Sequence, residues 1–227
     1  MKTLILSDIH GNLPALEAVL HQEKHYDGCL FLGDVVDYGP FPNECIAFLQ
    51  HEMDFGVVGN HDNALAYGVD CGCRGDFKKY SEETRAWHKN LVEKDGITFL
   101  RSLQPLNQVT IDGNSLVLAH ASPQGDLYRY LIEDEVDEAL DGITAQIVLL
   151  GHTHVQFQKH VGNTLIVNTG SVGLARDGGQ ACYAILENGA VTLRRLAYDV
   201  EKTIRALAQS PISHESKEGL SRVLLGV

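Results

Sequence analysis

The chain has 227 residues, a formal net charge of -12, 44% hydrophobic residues and 21% charged residues. This length and composition favour one globular domain over residues 1–227, and no apolar stretch reaches the roughly 18 residues that a membrane-spanning helix needs. The acidic balance argues against stable binding to a nucleic-acid backbone or an anionic membrane, although bound cations could still attract an anionic substrate.

The five cysteines are odd in number and follow no disulfide-framework spacing. The first residues form a strand pattern rather than a signal-peptide pattern, so we expect reduced thiols and a cytoplasmic protein. Cys71 and Cys73 form a single Cys-x-Cys pair, which is poor spacing for zinc without a second pair. A plain loop role is therefore expected for these two cysteines.

The first half of the chain alternates apolar runs typical of strands with segments of helical spacing. The predicted elements are strands at residues 3–7, 29–32 and 55–58, with helices from about residue 14 and near residues 43–50. Residues 63–96 differ in character, because residues 71–76 are loop-like and residues 81–94 are polar and helical. We interpret this segment as a lid-like insertion at the surface.

The second half is richer in strand hairpins. The predicted strands cover residues 109–111, 115–119, 147–150, 156–161, 164–167, 183–186 and 190–196. Asn188-Gly189 is a strong hairpin turn signal, and Asp199 is expected to cap the helix of a C-terminal helical tail over residues 199–227. Strand-helix units followed by hairpins predict an α/β fold, in which two mixed β-sheets pack as a sandwich flanked by helices.

Six short polar strings fall where strands should end. They are Asp8-Ile9-His10, Gly33-Asp34-Val35-Val36-Asp37, Gly59-Asn60-His61-Asp62, Ala119-His120, Gly151-His152-Thr153-His154 and Asn168-Thr169-Gly170-Ser171. Ligands of open α/β sheets gather beyond the carboxyl ends of the strands, so these strings are expected to meet. Carboxylates, imidazoles and an amide oxygen suit two divalent ions, and a two-metal site is suited to hydrolysing phosphate esters.

These strings resemble the motifs of the calcineurin-like metallophosphoesterases in order and in type. The resemblance runs from residue 4 to about residue 186 and implies the sandwich fold and a metal-dependent hydrolase. Within the superfamily, residues 33–40 and 168–173 resemble a group of small bacterial and archaeal enzymes. That group includes phosphodiesterases and asymmetric dinucleoside tetraphosphate hydrolases.

The resemblance implies two ligand sets. One ion would take Asp8, His10, Asp34 and His154, and the other would take Asp34, Asn60, His120 and His152. Asp34 would bridge the ions, since a carboxylate has two oxygens, and a shared hydroxide would attack the phosphorus. Mn²⁺ is expected from the resemblance, while Fe, Zn, Co or Ni fit the same nitrogen and oxygen donors.

The resemblance also implies a catalytic pair. His61 would approach the leaving-group oxygen as general acid, and Asp37 would orient it, because an imidazole paired with a carboxylate keeps its proton more readily. The alternative is that His61 only stabilises the turn at Asn60. Asp62 is expected to accept local hydrogen bonds or to cap a helix rather than to act in catalysis.

The substrate is expected to be a small phosphorylated molecule, with a nucleotide such as diadenosine tetraphosphate favoured. Asn60, His61, Tyr38 and Arg176 are the predicted substrate contacts. Tyr38 stands where eukaryotic-type serine/threonine phosphatases carry an arginine, which argues against a protein phosphatase. A non-catalytic interaction scaffold is the other alternative, although such relatives have lost metal ligands. The oligomeric state stays open.

Overall fold

The computed structural model describes residues 1–227, and it places ten strands in two sheets of five. The strands are β1 (Lys2–Leu6), β2 (Gly28–Phe31), β3 (Phe55–Gly56), β4 (Leu106–Ile111), β5 (Asn114–Ala119), β6 (Ile147–Leu150), β7 (Phe157–Val161), β8 (Thr164–Asn168), β9 (Ala181–Glu187) and β10 (Ala190–Leu196). The helices are α1 (Leu13–Gln22), α2 (Pro42–Glu52), α3 (Asn60–Tyr67), α4 (Asp76–Leu91), α5 (Lys94–Ser102), α6 (Val136–Ala139), α7 (Val200–Ala208) and α8 (His214–Leu225), with a short 3-10 helix at Glu133–Glu135.

Both sheets are mixed. The first has the strand order β10-β9-β1-β2-β3, in which β1, β2 and β3 run parallel. The second has the order β4-β5-β6-β8-β7, in which β5, β6 and β8 run parallel. Each sheet therefore sends the carboxyl ends of three neighbouring strands to a single edge. The predicted fold class, a sandwich of two mixed sheets flanked by helices, is confirmed.

Alternation along the strands builds the layers of the core. In β1, Ile5 packs into the core between the sheets, whereas Leu4 and Leu6 pack into the core under α1 and α2. Alternate side chains of a strand point to opposite faces, so one apolar strand supplies two layers. The rigid sandwich holds the strand ends, and hence the loops that follow them, in fixed positions.

Three predicted elements differ from the structure. The third strand has two residues, because Val57 continues it only through an isolated bridge to Gln104. The C-terminal tail contains two helices, α7 capped by Asp199 as predicted and α8 capped by Ser213, which the sequence analysis did not separate. The polar helix predicted over residues 81–94 starts earlier and ends at Leu91, and a separate helix α5 follows.

Helix α4 has a buried polar face, which a surface segment would lack. The side chains on this face are Tyr80, Ser81, Thr84, Arg85 and His88. Thr84 accepts a hydrogen bond from the Tyr38 amide at 3.0 Å, and His88 accepts one from the Asp37 amide at 3.1 Å. The lid role of residues 63–96 stays a prediction, but α4 itself is packed against the loop that follows β2. No helix combines the length and apolar composition that a membrane crossing requires.

Candidate metal centre and active site

All seven predicted ligand residues lie in loops or helix starts that leave the carboxyl ends of strands. They follow β1 (Asp8 and His10), β2 (Asp34), β3 (Asn60), β5 (His120) and β6 (His152 and His154). Because both sheets contribute, the side chains converge where the edges of the two sheets meet. The structure therefore brings together residues that are up to 146 positions apart in the sequence, as from Asp8 to His154.

The loops hold these residues in an uncommon backbone conformation. Seven non-glycine residues at this edge have φ between 46° and 67°, namely Asp8, His10, Asp34, Asp37, Tyr38, His152 and His154. Such left-handed conformations cost roughly 1–3 kcal/mol each and persist only where the surrounding structure holds them. They turn the chain sharply, so that alternate residues such as His152 and His154 can direct their rings towards one region.

Gly59 illustrates how tightly the loops approach each other. A Cβ atom at this position would overlap the Asp34 carboxylate and backbone amide, with the Asp34 Cγ among the nearest atoms. The absence of a side chain lets the start of α3 lie against Asp34. As a result, the His61 amide donates a hydrogen bond to Asp34 Oδ1 at 2.8 Å.

The ligand atoms form two clusters. In the first, His154 Nε2 lies 3.1 Å from Asp8 Oδ1 and 3.2 Å from His10 Nε2. In the second, His120 Nε2 lies 2.9 Å from Asn60 Oδ1, which in turn lies 3.1 Å from His152 Nδ1.

Asp34 Oδ2 connects the two clusters. It lies 3.2 Å from His120 Nε2 and 4.0 Å from His10 Nε2. The other oxygen of this carboxylate, Oδ1, accepts a hydrogen bond from the His61 amide. A carboxylate oxygen can accept more than one partner, so the use of both oxygens to hold the two ions stays a prediction.

Three buried carboxylate oxygens have no hydrogen-bond donor. Asp8 Oδ1 and Asp34 Oδ2 lie one in each cluster, and the third, Asp37 Oδ1, lies beside them. Leaving a buried charged acceptor unsatisfied is costly, so such an atom calls for a partner. A divalent cation in each cluster would satisfy the first two oxygens, and the donor set of carboxylate, imidazole and amide oxygen fits such ions.

Three of the imidazoles are oriented by backbone carbonyls. Nδ1 of His10 donates to Val36 O at 2.7 Å, Nδ1 of His120 donates to Leu32 O at 2.8 Å, and Nδ1 of His154 donates to Leu174 O at 2.6 Å. A proton held on Nδ1 leaves the Nε2 lone pair free and aimed into the cluster. His152 is the exception, because its Nδ1 faces the second cluster.

The electrostatics favour the protonation states that bind metals at His10, His152, Asp8 and Asp34, but not at His120. Burial, reinforced by neighbouring imidazoles, lowers the pKa of His10 and of His152 to about 3. Burial opposes ionisation of Asp8 and Asp34, but the charges of His154 and His120 hold the pKa of these carboxyls below the ordinary value. Burial also opposes the charge of His120, yet Asp34 raises the pKa of His120 to about 9. A metal at that position must therefore displace a proton.

Comparison with known proteins identifies the superfamily of this chain. The calcineurin-like phosphoesterase superfamily domain matches residues 1–190. The chain belongs to this superfamily. An uncharacterized protein of Methanocaldococcus jannaschii is 32% identical over 228 residues, which cover 91% of each chain. The Escherichia coli phosphodiesterase YfcE is 26% identical over 218 residues, which cover 93% of this chain and all of the relative.

A solved structure extends the likeness to the whole fold. The metallophosphoesterase from Sphaerobacter thermophilus superposes with a TM-score of 0.84 at 28% identity, and the match covers 100% of this chain and 99% of that one. The superfamily depends on a dinuclear metal centre. In this chain, the two clusters of histidine and aspartate side chains could hold such a centre.

The predicted catalytic pair of this calcineurin-like phosphoesterase lies beside the clusters. His61 Nδ1 donates a hydrogen bond to Asp37 Oδ2 at 2.7 Å, and His61 Nε2 lies 4.0 Å from Asp34 Oδ2. Burial opposes the charge of His61, but the Asp34 charge and the Asp37 hydrogen bond outweigh it and raise the pKa of His61. The pair is therefore suited to hold a proton next to the metal clusters.

Arg85 is a residue of this site that the sequence analysis missed. It comes from α4, is 6% exposed, and forms an ion pair with Asp37 Oδ2. Its Nη2 also lies 3.4 Å from His61 Nδ1. The available signal was the helical spacing of Ser81, Arg85 and His88 on one polar face, which was interpreted as solvent-exposed.

A cavity of about 530 Å³ opens above the clusters. Besides Asp34, Asn60, His61, His152 and His154, it is lined by Cys71, Gly72, Cys73, Arg74, Phe77, Tyr128, Tyr130 and Arg176. Arg176, a predicted substrate contact, stacks on Phe77 with its guanidinium carbon 4.2 Å from the ring centre and hydrogen-bonds Tyr130. This positions the Arg176 cation against two of the aromatic rings that line the cavity.

Tyr38 lies elsewhere than a substrate contact would require. It is 1% exposed and packs edge-on against His10, with ring centres 4.8 Å apart. Its hydroxyl lies 3.5 Å from His61 Nε2, and Tyr38 is not among the residues that line the cavity. The placement supports a packing role behind the histidines and does not favour the direct substrate contact predicted from the sequence.

Asp62 and Ser171 stabilise the loops of the site through hydrogen bonds to the backbone. Asp62 accepts hydrogen bonds from the amides of Asp34, at 2.7 Å, and Val35, at 2.9 Å, in agreement with the predicted acceptor role. Ser171 donates to the carbonyl of Asp8 at 2.8 Å. The first contacts fix the loop after β2 to α3, and the second fixes the loop after β8 to the loop after β1.

Cys71 and Cys73 are drawn into the site instead of serving only as loop residues. Cys73 Sγ lies 3.3 Å from His61 Nε2, and the carbonyl of Cys71 accepts a hydrogen bond from the Asn60 amide group at 2.8 Å. The sequence analysis considered only the spacing of the two cysteines to each other. It could not see that the fold adds an imidazole from α3.

Proposed function

We propose that this protein is a dinuclear-metal-dependent phosphoesterase that hydrolyses a phosphodiester or phosphoanhydride of a small substrate. The observation that carries the proposal is the position of Asp34 Oδ2, a buried oxygen without a hydrogen-bond donor that lies between two clusters of histidines. A cation in each cluster would satisfy it and the matching Asp8 oxygen together.

We assign the ions to the two clusters. Asp8, His10, Asp34 and His154 would hold one, and Asp34, Asn60, His120 and His152 would hold the other. When bound, such a pair supplies an activated water for attack on phosphorus and neutralises charge on the phosphate oxygens. Mn²⁺ is the proposed metal, although Fe, Zn, Co and Ni suit the same donors.

The chain's own residues complete the proposed chemistry. His61 lines the cavity and donates a hydrogen bond to Asp37, so it is placed to give a proton to the leaving-group oxygen. Arg85 neutralises Asp37 from behind and holds it in position. Asn60 and His61 would also contact the substrate phosphate, since both face the cavity next to the clusters.

The cavity wall favours a nucleotide. Arg176 offers a cation to a phosphate chain, and the rings of Phe77, Tyr128 and Tyr130 offer faces on which a base could stack. The relative YfcE is named a phosphodiesterase, which is consistent with diester or anhydride substrates. Diadenosine tetraphosphate carries both features, a base at each end of a phosphate chain, and is our leading candidate.

The experiment is a product-identified screen with added Mn²⁺. It compares dinucleoside polyphosphates, cyclic nucleotides and phosphopeptides, beside a bis-aryl phosphodiester and an aryl phosphomonoester as generic probes. We expect turnover of the diester probe and of at least one nucleotide. Turnover of phosphopeptides alone would indicate a protein phosphatase, and no turnover of any substrate by protein with bound metal would indicate a scaffold.

A further inference from the structure

We infer that Cys71, Cys73 and His61 form a separate binding site for a thiophilic divalent ion such as Zn²⁺ or Cd²⁺, and that an ion bound there blocks His61. The binding site is independent of the proposed function, whereas its inhibitory effect rests on that function. Neither cysteine belongs to the ligand sets of the two clusters.

The ligand atoms are already close to the required geometry. Sγ of Cys71, Sγ of Cys73 and a ring nitrogen of His61 lie within 4.8 Å of one another, and the Cys73 sulfur is 3.3 Å from His61 Nε2. A zinc ion with ordinary bond lengths in a tetrahedral arrangement separates a sulfur from a nitrogen ligand by about 3.5 Å. Small side-chain adjustments would suffice to bring all three atoms onto one ion.

The imidazole is also oriented as a ligand. His61 Nδ1 donates its proton to Asp37, so Nε2 is the nitrogen that faces the sulfurs. Carboxylate–histidine–metal arrangements of this kind fix the ring and strengthen the nitrogen as a donor. Gly72 has φ of 75°, which lets the chain reverse between the two cysteines so that both sulfurs reach the same imidazole.

Access and charge permit an ion at this position. All three residues line the open cavity, so solvent or a substrate oxygen could fill the fourth position. Two thiolates balance the charge of one divalent ion, so the occupied site adds no net charge next to the metal clusters. The two thiol protons and the Nε2 proton of His61 pass to solvent as the ion binds, and sulfur donors distinguish this site from the nitrogen and oxygen donors of the clusters.

Occupation would remove the proposed proton donor. The metal would bind Nε2, the nitrogen that otherwise faces the cavity, so His61 could not protonate a leaving group. The protein would then be inhibited by thiophilic ions at concentrations that leave its Mn²⁺ clusters loaded.

The test is a Cd²⁺ titration of the full chain loaded with Mn²⁺, in a non-thiol reductant, with the cadmium–thiolate charge-transfer absorption as readout. We expect one equivalent of this absorption in the unaltered protein and in the Cys182→Ala control, whose thiol lies in β9 outside the cavity. Cys71→Ser and Cys73→Ser should lose the absorption, and His61→Ala should weaken Cd²⁺ binding by about tenfold or more.

Absence of the absorption in the unaltered protein, or its persistence in both serine variants, would overturn the site. The second arm measures hydrolysis of a phosphodiester with a poor, alkoxide leaving group, which depends most on the His61 proton, in the presence of Zn²⁺, each variant being compared with its own rate without Zn²⁺. Zn²⁺ should inhibit the unaltered protein and not Cys73→Ser, and equal inhibition of both would refute the blocking role. If no turnover is found at all, the proposed function fails, while the absorption still decides the binding site.

Discussion

The Arg85 guanidinium and the Asp37 carboxylate form a buried ion pair behind His61. Asp37 thus receives Arg85 and the His61 imidazole on one oxygen, Oδ2, and joins α4 to the loop after β2. Burial opposes ionisation of Asp37, but the His61 hydrogen bond and the Arg85 charge lower the pKa of this carboxyl. Arg85 therefore helps to keep the Asp37 carboxylate charged in an otherwise unfavourable environment.

Replacing Arg85 should damage both stability and activity. Arg85→Ala leaves the Asp37 charge buried without its cation, and breaking a buried pair in this way costs about 3–5 kcal/mol. We expect that loss in the free energy of unfolding, measured by denaturant titration, together with a lower kcat. Arg85→Lys should recover part of both quantities, while Arg205→Ala, whose side chain is 66% exposed, serves as control and should change neither. A fully stable, fully active Arg85→Ala protein would contradict the role of the pair.

His61→Ala should lower kcat without emptying the clusters. General acid catalysis typically contributes about 10²- to 10⁴-fold, so a loss of that size is expected with a substrate that has a poor leaving group. An aryl substrate with a good leaving group should be affected less, since it needs little protonation. Metal content by elemental analysis should match the unaltered protein and the exposed His214→Ala control. Equal losses with both substrates, or loss of metal, would count against the proton-donor role.

Asp34→Asn should deplete bound metal. The amide keeps the size of the side chain and can still accept the His61 amide hydrogen bond, but it removes the charge that faces both clusters. We expect fewer than two ions per chain by elemental analysis and a correspondingly low kcat, whereas Asp141→Asn at an exposed position should keep both. Full metal occupancy in Asp34→Asn would rule out the bridging position.

Glu23 gives the fold a defined dependence on pH. It pairs with Lys2 at 2.6 Å and accepts a hydrogen bond from the Tyr183 hydroxyl at 2.8 Å. Burial opposes its charge, but these partners lower the pKa of Glu23 below its ordinary value of 4.5. A lowered folded-state pKa stabilises the protein above the unfolded value, and this contribution is lost as the pH falls through the folded one.

Glu23→Gln should therefore be less stable than the unaltered protein at neutral pH by about 1.5 kcal/mol, the lower end of what hydrogen bonds to charged groups contribute. The difference in the free energy of unfolding should shrink as the pH is lowered below 4.5, because Glu23 then becomes protonated and is as neutral as glutamine. Denaturant titrations across this range measure the effect, with exposed Glu138→Gln as control. A constant difference at all pH values would show that packing, and not charge, is responsible.

The location of the site was predictable because sheet geometry is general. Asp8, Asp34 and His120 each follow an apolar strand, and parallel strands end at one edge, so their convergence follows from the strand pattern. The fold class was predictable for the same reason, since alternating strand-helix units and hairpin turns allow few arrangements. Strand ends and the division of the C-terminal tail were less predictable, because packing and capping decide them locally.

The sequence by itself determined the ligand types, their order and the strands that carry them, since these are properties of short segments. Only the tertiary structure decided that Arg85 supports Asp37, that Tyr38 lies behind the histidines, and that two cysteines meet His61. The first two are contacts between segments far apart in the chain, and the third, although its residues are only 10 and 12 positions apart, depends on the path of the loop after α3. Such contacts depend on how helices and loops pack over the sheet edge, and hydrophobic pattern and residue spacing carry no information about that packing.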